Sequence, residues 1–142
     1  MSHSKVRGEL NKVVDAYAKA KNIAVDWENY KVEDRDVFPR LEVYLMPAGS
    51  YYKTLDGDLE EVIGIYQITV VTRKGQASGE SDSIIEDIHK LFPPYKLYKT
   101  VSGFSFQTIS PVQPADGKSD GDTWRVPCWF NYQAVTNAKE IT

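Results

Sequence analysis

The amino-acid sequence predicts an α+β fold: a largely antiparallel β-sheet with two α-helices packed on it. Three observations carry this expectation. Two stretches repeat apolar residues at helical spacing, one near the N-terminus and one in the middle of the chain. Several runs read as strands, and one of the two longest, from Val62 to Arg73, is apolar on both of its faces. The elements come in the order helix, strands, helix, strands.

The first helix spans residues 4–21. Val6, Leu10, Val13, Val14 and Tyr17 form one apolar stripe, Ser4 is a reasonable N-cap, and Lys19 and Lys21 suit the negative end of the helix dipole. Asn22 is a natural stop. Ile23 to Trp27 reads as a short strand, followed by a polar connection from Glu28 to Asp36. Leu41 to Met46 alternates as a second strand, bounded by Pro39 and Pro47. Ser50 to Leu59 reads as a hairpin arm turning at Asp56-Gly57.

The run Gly64-Ile65-Tyr66-Gln67-Ile68-Thr69-Val70-Val71-Thr72-Arg73-Lys74-Gly75 is β-branched, aromatic and free of proline, so Val62 to Arg73 is expected to be a central strand. A strand apolar on both sides needs cover on both sides, from the chain's own helices or from another subunit. Gly75 to Glu80 is a polar loop. The second helix carries Ile84, Ile85, Ile88, Leu91 and Phe92 on one face, with Ser81 or Ser83 as cap, and ends at Pro93-Pro94. Lys96 to Tyr98 and Gly103 to Ile109 read as strands, and Pro111 to Asp122 as an exposed loop. From Trp124 to Val135 the alternation is clear. Trp124, Val126, Cys128, Phe130, Tyr132 and Ala134 share one face; Arg125, Pro127, Trp129, Asn131 and Gln133 share the other. Pro127 removes a ladder donor, which argues for an edge or a bulge there.

The length, 142 residues, suits one domain over 1–142, with 1–4 and 136–142 as loose termini. The net charge of −3, from 17 basic and 20 acidic residues, argues against general or sequence-specific nucleic-acid binding. The single cysteine, Cys128, excludes an intramolecular disulfide. No apolar run reaches membrane-span length, and the N-terminus lacks the apolar segment of a secretory signal.

No chemistry-bearing motif emerges. His3 and His89 sit in different elements and make no metal pair; each reads as a surface or semi-buried imidazole. Cys128 faces the expected core and reads as a small hydrophobe. Gly75 to Gly79 lies between a strand and a helix but lacks the Lys-Ser/Thr that grips phosphate. Three acidic groups (Asp56, Asp58, Glu60, Glu61; then Glu80, Asp82, Glu86, Asp87; then Asp116, Asp120, Asp122) lack complete Ca²⁺-loop spacing and read as solvated loop or helix charge. No catalytic, cofactor-binding or metal-ligating residue is assigned. The aromatics stand out instead. Trp129 projects opposite Trp124, Phe130 and Tyr132, and the adjacent Tyr51 and Tyr52 point to opposite sides if extended. Each is either core beneath a covering layer or a contact for another subunit.

An ordered set of landmarks resembles the phage tail terminators. After the first helix come Trp27-Glu28-Asn29, Phe38-Pro39 and Tyr44-Leu45-Met46-Pro47. Gly64-Ile65-Tyr66-Gln67-Ile68 then leads through Lys74-Gly75 to a helix ending at Phe92. Last is Trp124-Arg125-Val126-Pro127, running into Phe130-Asn131-Tyr132. The resemblance covers most of residues 5–134 and leaves Pro111 to Asp122 unmatched. It implies a tail-terminator-like fold and a structural, non-enzymatic protein of a phage or prophage tail, with no cofactor. It further implies a homo-oligomeric ring, a hexamer, assembled in the host cytoplasm. The ring caps the tail tube, stops its polymerisation and docks the head-side connector. On that reading Tyr51, Tyr52, Trp129 and Arg125 are the candidate contacts to sister subunits or the tube protein, and Asp116, Asp120 and Asp122 line a lumen that repels DNA.

Two other readings stay open at this stage. An acidic cluster could serve a metal-dependent hydrolase. An α+β domain could also enclose a small ligand in an apolar cavity lined by Trp124, Phe104 and Phe106.

Overall fold

The first amphipathic stripe forms α1 (Ser2–Lys21), with Val6, Leu10, Val14 and Ala18 buried. The structure, a computed structural model, describes residues 2–28, 37–52, 59–75, 79–100 and 104–137. The helix starts ahead of the expected Ser4 cap, and His3 lies within it. Its end follows the sequence. Asn22 takes a left-handed φ of 58°, the Ile23 amide donates to Ala18 O at 2.8 Å and the Asn22 amide to Lys19 O at 3.4 Å, satisfying carbonyls that the last turn leaves open.

The strands are β1 (Ala24–Trp27), β2 (Arg40–Tyr52), β3 (Leu59–Arg73), β4 (Leu97–Lys99), β5 (Ser105–Thr108), β6 (Gln113–Pro114), β7 (Lys118–Asp120) and β8 (Thr123–Asn137), with α2 (Gly79–Leu91) between β3 and β4. They make one sheet in the order β1-β2-β3-β8-β5-β4, with β6 and β7 also paired to β8. The β1–β2 pairing is parallel and the others are antiparallel, so the α+β expectation holds. β3 is central, as its proline-free run predicts. It pairs along its whole length with β8, from Leu59↔Asn137 to Arg73↔Thr123.

Two expectations need correction. β2 does not stop at Pro47; it continues to Tyr52, and the register slips between Pro47 and Gly49, the irregularity that lets a strand carry a proline. The stretch 111–122 is not all loop, because β6 and β7 both pair with β8. Pro127, in turn, is not at an edge, because β8 is paired on both sides, but the expected bulge is there: the register on the β6–β7 side shifts by one residue between Pro114↔Cys128 and Lys118↔Arg125. The Pro127 carbonyl accepts from the Ala115 amide at 2.9 Å, so its missing N–H faces that same side, where β6 has ended and β7 has not begun. The Asp56-Gly57 turn lies outside the described residues.

α2 presents Ile84 and Ile88, and Phe92 just beyond its end, as buried residues. Ser81 is buried inside the first turn and does not cap the helix. Both helices lie on one face of the sheet, over Leu41, Val43 and Leu45 of β2, Tyr66 and Ile68 of β3, and Cys128, Phe130 and Tyr132 of β8. Polar pins fix them. Tyr66 Oη donates to Asn11 Oδ1 at 2.6 Å, and Tyr17 Oη to Asp87 Oδ2 at 2.8 Å, joining α1 to α2. His3 Nδ1 and Tyr132 Oη are hydrogen-bonded at 2.6 Å.

Candidate functional site

Strand alternation sends every second residue of β2, β3 and β8 away from the helices. Among the described residues no helix covers that opposite face. The register sets its rows: Tyr44, Gln67 and Trp129 lie side by side, and beside them Met46, Ile65 and Asn131. Tyr44 and Met46 are 38 % and 40 % exposed, while Ile65 and Trp129 are half-buried. The centre of this open face is therefore an amide-flanked aromatic and aliphatic strip.

One end of the same face is ionic. Arg40 and Glu42 are buried. Glu42 Oε1 accepts from Arg125 Nη2 and, at 3.2 Å, from Tyr44 Oη; Glu42 Oε2 lies 3.5 Å from Arg40 Nη2. Arg40 Nε lies 3.4 Å from Asp26 Oδ2. Burial, then the adjacent Glu42 charge, raises the Tyr44 phenol above its ordinary value. Phe38, joined to Pro39 by a cis peptide, has its ring 5.1 Å from the Arg40 guanidinium and 5.0 Å from that of Arg73. A cavity of ≈ 460 Å³ opens above the cluster, with Lys118 and Asp120 at its rim. The carboxylates here are engaged by cations and a phenol, an arrangement that fixes the side chains in place.

The helical face carries a second concavity of ≈ 410 Å³, between α2 and the strands β6 to β8. Its walls include Ile85, Val112 and Trp124, and Asp82, Glu86 and Asp116 stand around it. Gly117 sits on the Trp124 indole, where a Cβ would overlap the ring.

The profile of the phage tail terminator protein family matches residues 5–132. The chain belongs to the phage tail terminator family. As a member it is a structural component of the virion tail, working among tail and head components of a phage. A solved structure is also similar, with a TM-score of 0.79 and 24 % identity over 94 % of this chain and 96 % of that one. That likeness bears on the fold. No curated protein matches the chain.

The terminator landmarks acquire physical roles in the structure. Glu28 accepts from the Leu45 amide at 3.1 Å, beyond the last β1–β2 pair at Trp27↔Val43, and its other oxygen pairs with Arg7 at 2.9 Å. Its carboxylate thus extends the strand ladder and ties it to α1. Gly64 faces Tyr132 across β3 and β8, and the phenol fills the space a side chain would need.

Among the candidate residues of this terminator-family chain, Trp129 lies on the face opposite Trp124, as its alternation predicts, and Arg125 is held by Glu42. Tyr51 and Tyr52 pair with Glu61 and Glu60 through their backbones; their side chains lie outside the described residues. Asp116, Asp120 and Asp122 are exposed but do not form one surface. Asp116 belongs to the α2 groove, Asp120 to the cavity of the open face, and Asp122 to the β7–β8 turn, where its carbonyl accepts from the Lys74 amide at 2.7 Å. Cys128 is buried, its Sγ 3.2 Å from Ile68 O, and burial pushes its thiol up to about 12.

The ligand cavity expected from Trp124, Phe104 and Phe106 is not assembled. Trp124 lines the α2 groove, whereas Phe106 stacks on Tyr98 at 5.0 Å with Phe104 beside it. Nothing local in the sequence marks Glu42. Between Leu41 and Val43 it looks like a solvent-facing strand residue, and its partner Arg125 is 83 positions away.

Proposed function

We propose that this chain is a tail terminator subunit that closes into a ring, a hexamer, on the finished tail tube. The ring stops tube polymerisation and offers the surface on which the head-side connector docks; assembly takes place in the host cytoplasm. The observation that carries this reading is the open sheet face, a rigid three-strand surface with Trp129 at its centre and Tyr44 and Met46 exposed beside it. Family membership supports it. A cap needs a fixed surface complementary to the tube and another that does not propagate it, and subunits joined through two different patches close into a ring when their rotation permits. Trp129, Tyr51 and Tyr52 act as contacts to a sister subunit or the tube. Arg125, neutralised by Glu42, shapes that surface. Asp120 and Asp122, at the exposed β7–β8 end, face the DNA path and keep it from sticking, while Asp116 serves the separate α2 groove.

Tails assembled without this protein test the reading directly. Abnormally long tubes, with no ring at their ends under the electron microscope, are expected. Tubes of normal length would overturn it.

A further inference from the structure

The segment after α2 displays apolar side chains on a rigid turn. Tyr95 and Leu97 are the two most exposed large apolar residues described, at 72 % and 54 %. Tyr95 has a left-handed φ of 60°, unfavourable for a residue with a side chain, and such conformations persist where the surroundings dictate them. Here the fully buried Thr108 dictates it. Its Oγ1 donates to Pro93 O at 2.8 Å and accepts from the Lys96 amide at 3.1 Å; its carbonyl accepts from the Tyr95 amide at 2.8 Å and its amide donates to Lys96 O at 3.2 Å. The turn is thus fixed from both sides before any partner arrives. It leads into β4, the last strand of the sheet, whose outer edge is unpaired among the described residues. Lys96, within the turn and 5.1 Å from the Tyr98 ring, and Lys99, at the end of β4, are exposed.

The α2 groove has the opposite character. Ile85, Val112 and Trp124 give it apolar walls, and the carboxylates of Asp82, Glu86 and Asp116 stand at its margin beside His89. An apolar anchor flanked by lysines matches an apolar groove flanked by carboxylates in shape class and in sign of charge. We infer that the Tyr95–Leu97 turn of one copy docks into the α2 groove of a second copy of this chain. Because the two patches differ, the contact runs head to tail, as a ring requires, and it leaves the open sheet face free for the tube. The turn's rigidity reduces the ordering cost of association. The inference rests on the ring reading and names the surfaces that form the ring.

Two measurements on the full chain test it. Copies bearing Leu97→Cys are mixed with copies bearing Ile85→Cys and mildly oxidised; the native Cys128 is buried and does not compete. A mixed disulfide dimer is expected, and Leu97→Cys mixed with Tyr44→Cys, on the open face, should give none. In light scattering over a concentration series, Lys96→Glu should weaken assembly roughly tenfold, with recovery when it is mixed with Glu86→Lys copies. An intact ring that ignores Tyr95→Ala and Lys96→Glu, with no Leu97–Ile85 disulfide, overturns this contact and spares the ring reading. A wild-type chain that stays monomeric at every concentration, and also on tube ends, overturns the ring reading and this contact with it.

Discussion

Gly64 and Tyr132 oppose each other on β3 and β8, and the Tyr132 ring lies where a Cβ on residue 64 would stand, 2.7 Å from the ring's Cε2. The phenol crosses the glycine on its way to His3 in α1. A bare position on the central strand thus lets β8 reach the N-terminal helix. Burial pushes the Tyr132 phenol up to about 12, with Arg7 acting in the opposite sense, so the hydroxyl stays protonated at neutral pH.

Gly64→Ala is therefore an overpacking change in the middle of the sheet. It should lower unfolding free energy by about 1–3 kcal/mol in denaturant titration. Tyr132→Phe in the same chain removes the overlapping oxygen and should recover part of that loss. An unchanged midpoint for Gly64→Ala would show that the ring can move aside freely.

Glu42→Ala withdraws the carboxylate that Arg125 and Arg40 share and leaves the guanidinium of Arg125 half-buried without its acid. A loss of about 3 kcal/mol is expected, the lower part of the range for breaking a buried pair, because Arg125 retains some solvent. Glu42→Gln keeps an acceptor and should cost less. Equal losses for the two variants would mean that charge plays no part.

Trp129→Ala should separate folding from assembly. Its half-exposed ring lies on the open face, so circular dichroism and thermal midpoint should change little, while ring formation or tube binding falls at least tenfold, in the range of an interface hot spot. A variant that assembles normally would remove Trp129 from the contact surface.

Cys128 predicts an alkaline weakness. Its ordinary thiol value of 9.0 rises to about 12 in the fold. Between those values the unfolded chain loses the proton and the folded chain keeps it. Stability is thus unaffected below about pH 9 and declines as pH climbs through the folded value, by up to about 4 kcal/mol. Cys128→Ala should be less stable at neutral pH and show a shallower decline between pH 9 and 12. Parallel curves for the two proteins would contradict the burial argument.

The sequence alone determined the two helices, the central β3, the two faces of β8, the burial of Cys128 and the Asn22 stop. Each is a local matter. Period and turn chemistry tell a residue which way it faces relative to a core, whatever that core contains. Only the tertiary structure decided why residue 64 is glycine, how Glu42 meets Arg125, where the missing donor of Pro127 falls, and that 111–122 supplies two more strands. Those outcomes depend on register between distant segments, fixed once the whole sheet is paired; a slip of one residue would exchange every partner. The open face obeys the same division. Alternation put Trp129 on the face opposite Trp124 without saying whether that face was covered; only the packing of both helices on one side left it bare.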